Sequence, residues 1–243
     1  MKADQLSLRL DTVANFVVKY GNSPIRLADI GTDHAYLPVN LLLNEHVSFA
    51  IAGDVAKGPL KSAENEVKQQ SLQSKIDVRL GDGLKVIRED DRMNTVTICG
   101  MGGKLISTIL EEGHHLIQSH HTLILQPNTG AHILRQWLSN HDYHILDETM
   151  VAEDGHMYEI IVAQTTQSAP KYSAKQIYLG PCHMIRKSKI WKDKLQAKHQ
   201  HLSSIVHSMS QAKKVDYQKL KDYQDAMSYI EEEIFHNDEY SKT

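Results

Sequence analysis

Two hydrophobic patterns divide the chain. Between about residue 25 and residue 165, short β-branched runs alternate with longer segments whose apolar positions follow helical spacing. The predicted strands are 25–30, 49–54, 76–80, 95–99, 122–126, 144–151 and 157–165. The predicted helices between them are 38–44, 59–69, 104–117 and 131–139. This order predicts parallel strands joined by crossover helices, closed by an antiparallel hairpin at the sheet edge. A further helix before the first strand is indicated by the spacing of Leu6, Leu10, Val13 and Val17.

The C-terminal third has a different pattern. A polar Thr/Gln/Ser/Pro stretch at 164–170 indicates a linker, and no Gly or Pro follows Pro181. The steps of three and four along this segment predict two helices packed as a coiled-coil-like hairpin, with a turn within 213–217. The apolar positions that carry this periodicity are Leu195, Leu202, Ile205, Met209, Leu220, Tyr223, Met227, Ile230 and Ile234. We therefore predict an α/β domain with a Rossmann-like fold over 1–165 and a helical hairpin over 166–243.

Composition excludes several classes of protein. The chain has 243 residues, and 41% hydrophobic and 23% charged residues are ordinary for a globular protein. No signal-peptide-like or membrane-spanning run is present, so we expect a cytoplasmic protein without a membrane partner. The two cysteines, Cys99 and Cys182, are expected to be free thiols. No Cys/His cluster has metal-ligand spacing, so no metal is expected.

Charge is distributed unevenly along the chain. The net charge is −3, but residues 171–221 carry twelve Lys and Arg against only Asp193 and Asp216. A solvated helix face explains any single charge run. A basic window joined to an acidic remainder is typical of nucleic-acid-binding proteins, so the hairpin is a candidate RNA-binding surface.

The most informative motif is DIGTDHAYLP at residues 29–38, between a predicted strand and a predicted helix. Its single glycine, Gly31, would let a ligand approach the backbone. A dinucleotide-binding turn would have three glycines, and the carboxylates of Asp29 and Asp33 would repel a pyrophosphate. They suit a positively charged amino group instead.

The next three strands also end in Gly and Asp residues. Asp54 ends the second strand, where an acid can accept hydrogen bonds from ribose hydroxyls. Asp82 follows the third strand and can accept from an adenine amine. Since ligands bind at the carboxyl ends of parallel strands, these groups predict one nucleoside-binding rim. The predicted cofactor contacts are Asp29, Gly31, Asp54, Val55, Asp82, Gly83, Gly100, Met101 and Gly102.

The segments DIGTDHAYLP, AGDVAKGPL, GDGL, ICGMGG and LILQPN, in this order and spacing, resemble the bacterial tRNA (adenine(22)-N1)-methyltransferase family, TrmK. The upstream LSLRLDTVANFV and the helical C-terminus extend the resemblance to nearly the whole chain. It implies a class I methyltransferase fold and S-adenosyl-L-methionine as the methyl donor. It also implies methylation of adenine N1 in the D-arm of tRNA, with the C-terminal coiled coil helping to hold the tRNA.

Methylation at N1 requires an unpaired or extruded base, because N1 lies on the Watson–Crick edge. The product ring gains positive charge, which a carboxylate or carbonyl near the base would stabilise. The candidates for charge stabilisation are Asp33 and the backbone carbonyls of residues 99–102. The other candidate catalytic residues are His34 and Tyr36, for orienting or stacking on the base, and Asn128, for contacting the base or methionine. Arg9, Lys104 and Arg135 are candidates for phosphate contacts, with a solvated surface charge as the equal alternative for each.

Two alternative functions remain open from the residues. One is a nucleoside-binding Rossmann module whose coiled coil recruits a protein partner, since coiled coils commonly join proteins. The other is a methyltransferase that acts on another RNA, a protein or a small molecule. We expect a monomer, with dimerisation through the helical hairpin as the alternative.

Overall fold

The computed structural model describes residues 3, 5–117, 121–166, 168–212 and 214–234. It separates into two compact units, Met1–Pro170 and Lys171–Thr243. The boundary therefore follows Pro170, whereas the sequence placed it after Thr165. Thr165 ends the last strand, and the segment after it still belongs to the first unit.

The first unit is built on a sheet whose seven described strands have the order β3-β2-β1-β4-β5-β7-β6. β1 pairs in parallel with β2 and β4, and β7 pairs antiparallel with β5 and β6. The strands are β1 (Arg26–Ile30), β2 (Phe49–Asp54), β3 (Ile76–Leu80), β4 (Thr95–Gly102), β5 (Thr122–Thr129), β6 (Tyr143–Glu153) and β7 (His156–Thr165). The predicted α/β fold class, with a mostly parallel sheet and an antiparallel edge hairpin, is confirmed.

In the described part of the first unit, five α-helices connect or flank these strands. They are α1 (Leu8–Tyr20), α2 (Tyr36–Leu43), α3 (Lys57–Gln69), α4 (Gly103–Glu112) and α5 (Ala131–Asn140). Because the Ser7 hydroxyl accepts from the Leu10 N–H at 3.4 Å and caps α1, Leu6 lies outside that helix. α4 ends before Gly113, and a 3-10 turn (His114–Leu116) replaces the rest of the predicted helix.

α2 begins two residues earlier than predicted. The N–H of Ala35 donates to the Thr32 carbonyl at 3.0 Å, so the turn after β1 is complete before the helix starts at Tyr36. Pro38 therefore lies inside the first turn of the helix. A proline is tolerated there because the N–H groups of a first helical turn have no intrahelical acceptor.

The central strands are buried on both faces, as expected for parallel strands covered by helices. Leu27 and Ala28 of β1 and Ala50, Ile51 and Ala52 of β2 are completely buried. This rigid layer fixes the positions at which the strands end, and those ends carry the candidate site.

Arg135 is not a phosphate contact. Its side chain is 2% exposed, and its Nε donates to Glu148 Oε1 at 2.5 Å while Nη2 donates to Glu159 Oε2. The two carboxylates come from the edge hairpin, on β6 and β7. Since a buried arginine needs such partners, this cluster ties α5 to the hairpin and leaves the guanidinium inaccessible to RNA.

The second unit contains the predicted helical hairpin and two short helices that the sequence did not reveal. Its helices are α6 (Ala174–Leu179), α7 (Pro181–Arg186), α8 (Lys189–Ser210) and α9 (Tyr217–Ile234). α6 and α7 have six residues each, too few for helical periodicity to be recognised. Trp191 Nε1 donates to the Leu179 carbonyl at 3.1 Å and joins α8 to α6.

The hairpin packs along the apolar seam that the spacing predicted. Of the predicted positions, Leu195, Leu202 and Ile230 are buried, and so is Ala226, which the spacing did not include. α8 ends at Ser210 and α9 begins at Tyr217, so the connection starts slightly earlier than predicted; Lys213 lies outside the described residues. In the described part of the chain, no helix combines the length and apolar character needed to span a bilayer.

Candidate active site

A cavity of about 570 Å³ lies at the carboxyl ends of β1, β2, β3 and β4. Its size is within the range of small-molecule sites. Twelve of the thirteen predicted site residues line it, namely Asp29, Gly31, Asp33, His34, Tyr36, Asp54, Val55, Asp82, Gly83, Gly100, Met101 and Asn128. The predicted convergence of the three strand-end carboxylates therefore occurs, although they lie 25 or more residues apart in sequence.

Gly102 is the exception. β4 bulges against β5 on either side of Met101, and Gly102 pairs with Thr129 instead of facing the cavity. Gly100 and Met101 line the cavity in its place. Gly102 is thus the one predicted site residue that does not line the cavity, because the bulge changes which residues of the glycine-rich segment face inward.

Asp29 lies at the floor of the cavity and is 5% exposed. Its two oxygens accept from the Thr32 and Thr97 hydroxyls, each at 2.7 Å. Burial raises the pKa of this carboxyl above its ordinary value, and the nearby charge of Asp54 raises it further, while the two hydroxyls lower it. Asp29 is therefore a desolvated acid whose charged form a ligand cation would stabilise.

Gly31 lines the cavity at the turn after β1. It has φ +73°, and a Cβ placed on it would lie 2.1 Å from the terminal methyl of Met101. The missing side chain therefore leaves room for Met101, a neighbour from β4 that lines the same cavity. Its N–H donates to the Gly53 carbonyl at 2.8 Å, which joins the β1 turn to the end of β2.

Asp54 is held by two backbone donors. Its Oδ1 accepts from the Ala56 N–H at 2.8 Å and its Oδ2 accepts from the Asp33 N–H at 3.3 Å. These bonds fix the carboxylate at the end of β2 and leave lone pairs on both oxygens. An acid held in this way can accept from two neighbouring hydroxyls.

Asp82 and Gly83 form the third part of the rim. Gly83 has φ +56° and packs against Ile109 of α4, so the turn after β3 requires a glycine. Asp82 is exposed and is 3.0 Å from the Nζ of Lys85, which also contacts Glu112 at 3.2 Å. The Asp82 carboxylate thus stays accessible to a ligand at the cavity mouth.

Asp33, His34 and Tyr36 lie side by side above the turn. The His34 and Tyr36 rings are stacked, with centroids 5.2 Å apart and planes 9° apart. Asp33 Oδ1 is 3.6 Å from His34 Nε2, and about two thirds of the Asp33 side chain is exposed. This group gives the cavity one wall with an aromatic surface and an accessible negative charge.

Asn128 belongs to a hydrogen-bonded chain that the sequence did not reveal. Its Nδ2 donates to the Gly100 carbonyl at 2.8 Å, and its Oδ1 accepts from Gln126 Nε2 at 3.0 Å. Gln126 Oε1 accepts from Arg9 Nη1 at 2.6 Å. Arg9 also lies over the Tyr158 ring, 5.4 Å from its centroid, and both residues line the cavity.

Arg9 and Tyr158 could not be assigned to the site from local pattern. Arg9 lies on the first helix and Tyr158 on the edge hairpin, both far in sequence from the glycine-rich turns. Cys99 also lines the cavity, and burial raises the pKa of its thiol, so the thiol stays protonated at neutral pH. Within the described residues, no group of three or more His, Cys, Asp or Glu could hold a metal ion.

Comparison with known proteins identifies the family to which this architecture belongs. A family model described as tRNA (adenine(22)-N(1))-methyltransferase, TrmK, matches residues 27–232. The chain belongs to this family. The resemblance inferred from DIGTDHAYLP and GMGG is thereby confirmed, and the class I methyltransferase fold with it.

Individual TrmK relatives match almost the full length. The tRNA (adenine(22)-N(1))-methyltransferase of Bacillus subtilis is 40% identical over 238 residues, covering 96% of this chain and 98% of that protein. The crystal structure of the B. subtilis m1A22 tRNA methyltransferase TrmK has a TM-score of 0.86 at 38% identity, covering 95% of this chain and 99% of that one. A putative Streptococcus pneumoniae tRNA (m1A22) methyltransferase in complex with S-adenosyl-L-methionine has a TM-score of 0.83 at 36% identity, covering 95% of this chain and all of that one.

Proposed function

We propose that this TrmK-family protein is an enzyme that transfers a methyl group from S-adenosyl-L-methionine to N1 of adenine 22 in tRNA. The observation that carries the proposal is the convergence of Asp29, Asp54 and Asp82 on one cavity at the strand ends. We propose further that the enzyme acts as a monomer in the cytoplasm, where its tRNA substrate is present.

The residues around the cavity fit the methyl donor. The two backbone donors on Asp54 hold a carboxylate ready to accept from both ribose hydroxyls. Asp82 would accept from the adenine amine, with exposed Val55 beside the ring. The desolvated carboxylate of Asp29 would meet the positively charged amino group, and Gly100 and Met101 would border the methionine chain. S-adenosylmethionine supplies an electrophilic methyl group on a sulfonium.

The wall that carries His34 and Tyr36 provides groups for the target base. His34 and Tyr36 offer a stacked aromatic surface, and the Asn128 amide offers polar atoms beside it. Once N1 is alkylated the adenine ring is cationic until a proton leaves N6. Asp33, exposed and next to this wall, would stabilise that charge.

The second unit would hold the tRNA through exposed lysines. Lys192 and Lys198 of α8 and Lys219 and Lys221 of α9 are exposed. The basic window is partly neutralised, because Lys175 contacts Glu232 and Glu233, and Lys187 contacts Glu233, at 2.7 to 3.0 Å. We therefore assign phosphate binding to the exposed lysines of α8 and α9 and not to the whole window.

The alternative functions are less well supported. A binding module without catalysis would not need groups for a target base in the cavity that holds the three strand-end carboxylates. Four candidate groups line it, namely Asp33, His34, Tyr36 and Asn128. The apolar seam of the hairpin is packed within the chain, between α8 and α9, so it does not need a partner helix to cover it.

The test is methylation of unmodified tRNA by the purified protein with labelled S-adenosylmethionine, followed by nucleoside mass spectrometry. The expected product is 1-methyladenosine at position 22, and a transcript with guanosine at position 22 should remain unlabelled. Labelling of another RNA would support the alternative substrate, and cofactor binding without any RNA methylation would support the binding module.

A further inference from the structure

The hydrogen-bonded chain at the end of β5 fixes the orientation of an amide that faces the cavity. Gln126 is completely buried. Its Oε1 accepts from Arg9 Nη1 at 2.6 Å and from the Gly100 N–H at 3.0 Å. Its Nε2 donates to Asn128 Oδ1 at 3.0 Å, and Asn128 Nδ2 donates to the Gly100 carbonyl at 2.8 Å.

The direction of every bond in this chain follows from its first members. A guanidinium and a backbone N–H only donate, so the atom of Gln126 that faces them is its oxygen. The other end of that amide is then NH₂, which requires the oxygen of Asn128 as its acceptor. Reversing the Asn128 amide would place its NH₂ group against the NH₂ group of Gln126, and its oxygen against the carbonyl oxygen of Gly100. Arg9 and the Gly100 N–H therefore determine which way Asn128 presents its amide.

Asn128 keeps one donor and one acceptor for a ligand. An amide has two N–H groups and two lone pairs on its oxygen, and the chain uses one of each. A paired donor and acceptor match N7 and the N6 amine of adenine, the edge that asparagine pairs with in nucleic acids. This contact leaves N1 uncovered. Guanine would present its O6 to the asparagine oxygen, and two acceptors repel.

We propose that Arg9 and Gln126 are positioning residues that hold the Asn128 amide so that it selects adenine through N6 and N7. The inference rests on the proposed function, since the target adenine has to enter this cavity. Arg9 is itself held in place over the Tyr158 ring. The selection of adenine thus depends on a buried glutamine and a helix residue, as well as on the asparagine that faces the base.

The test compares tRNA carrying adenosine or 7-deazaadenosine at position 22, with wild type, Asn128→Ala and Gln126→Glu. 7-Deazaadenosine lacks the N7 acceptor. We expect kcat/KM of the wild type to fall roughly tenfold on the analogue, the cost of a lost hydrogen bond. Gln126→Glu keeps the oxygen that accepts from Arg9 and replaces the donor that orients Asn128. Both variants should be slow on adenosine and show no added loss on the analogue.

Comparing variants cancels any difference in the intrinsic reactivity of the two bases. Gln164→Glu is the matched control: Gln164 lies on β7, donates to Thr122 Oγ1 at 2.6 Å and does not line the cavity. It should behave as wild type. Arg9→Met removes the guanidinium that donates to Gln126 Oε1, and the dependence of kcat/KM on N7 should be partly lost. This variant tests the inference if Gln126→Glu does not fold. S-adenosylmethionine affinity, measured by calorimetry, should change less than about twofold in every folded variant, since Asn128 would act on the base.

Equal rates of the wild type on both substrates would overturn the inference. So would a Gln126→Glu enzyme as sensitive to the analogue as wild type. If the proposed function itself is wrong, the wild type will not methylate adenosine at position 22 at all, and that result is distinct from a loss of dependence on N7.

Discussion

The carboxylate of Asp29 accepts the hydroxyl hydrogen of Thr97 at 2.7 Å, across the pairing of β1 with β4. The bond lies at the floor of the cavity, where a second hydroxyl, from Thr32, meets the other oxygen. Two neutral donors only partly replace the water that Asp29 loses, so its pKa stays above the ordinary value. Asp29 is thus kept at a cost to the fold, which the proposed contact with the cofactor ammonium would explain.

Asp29→Asn is expected to stabilise the protein at neutral pH. A buried acid with a raised pKa binds its proton more tightly in the folded state, so its contribution to stability falls as pH rises above about 3.8, its ordinary value, and through the raised folded value. The asparagine removes this loss. Thermal unfolding of both proteins between pH 4 and pH 8 should show an advantage of the variant at pH 8 that shrinks at pH 4.

The same variant should bind S-adenosylmethionine at least about tenfold more weakly at pH 7, because the ligand ammonium loses its charged partner. Wild-type affinity should decline as the pH falls through the raised pKa of Asp29, and the affinity of Asp29→Asn should not. A variant that binds the cofactor as well as wild type would remove Asp29 from the cofactor contacts.

Gly31→Ala is expected to destabilise the protein by roughly 1–3 kcal/mol, because it places a side chain at φ +73°. The new methyl also contacts Met101. Combining Gly31→Ala with Met101→Ala should therefore recover the part of the lost stability that is due to crowding, and the part due to backbone strain should remain. Gly58→Ala is the control. Gly58 lies in α3, and no atom lies within 4 Å of the position that an alanine methyl would take there, so denaturant unfolding should show no loss of stability.

Asp33→Asn should lower kcat roughly ten- to hundredfold while leaving cofactor affinity unchanged, because it removes the negative charge beside the developing adenine cation. Asparagine tolerates the left-handed conformation that Asp33 adopts at φ +55°, and the backbone N–H that donates to Asp54 remains. Single-turnover methylation and cofactor titration measure the two quantities. Unchanged kcat would exclude Asp33 from charge stabilisation.

Replacing Lys192 and Lys198 by Gln should weaken tRNA binding and reduce the slope of log affinity against log salt by about two for two lost phosphate contacts. Lys61→Gln with Lys68→Gln, exposed on α3 of the first unit, makes a control with the same change in charge. If the Lys192/Lys198 variant and the Lys61/Lys68 variant bind tRNA with equal affinity at every salt concentration, a specific role for α8 is contradicted.

Local pattern was sufficient for the order of strands and helices and for the strand ends that line one cavity. Asp29, Asp54 and Asp82 could be assigned to one edge because parallel strands end on the same side of a sheet, a consequence of chain order alone. Pattern did not reveal the bulge in β4 that leaves Gly102 paired with Thr129 and outside the cavity lining, because bulges leave little trace in composition.

What the sequence by itself determined was the periodicity of each element, the turn residues at the strand ends and the motifs of the TrmK family, because these depend on neighbours along the chain. Tertiary structure alone decided that Arg9 contacts Gln126 and that Met101 occupies the space beside Gly31. It also decided that Arg135 is buried between two glutamates. These contacts join residues from different elements, and packing of the buried sheet against its helices selects them, so no local periodicity encodes them.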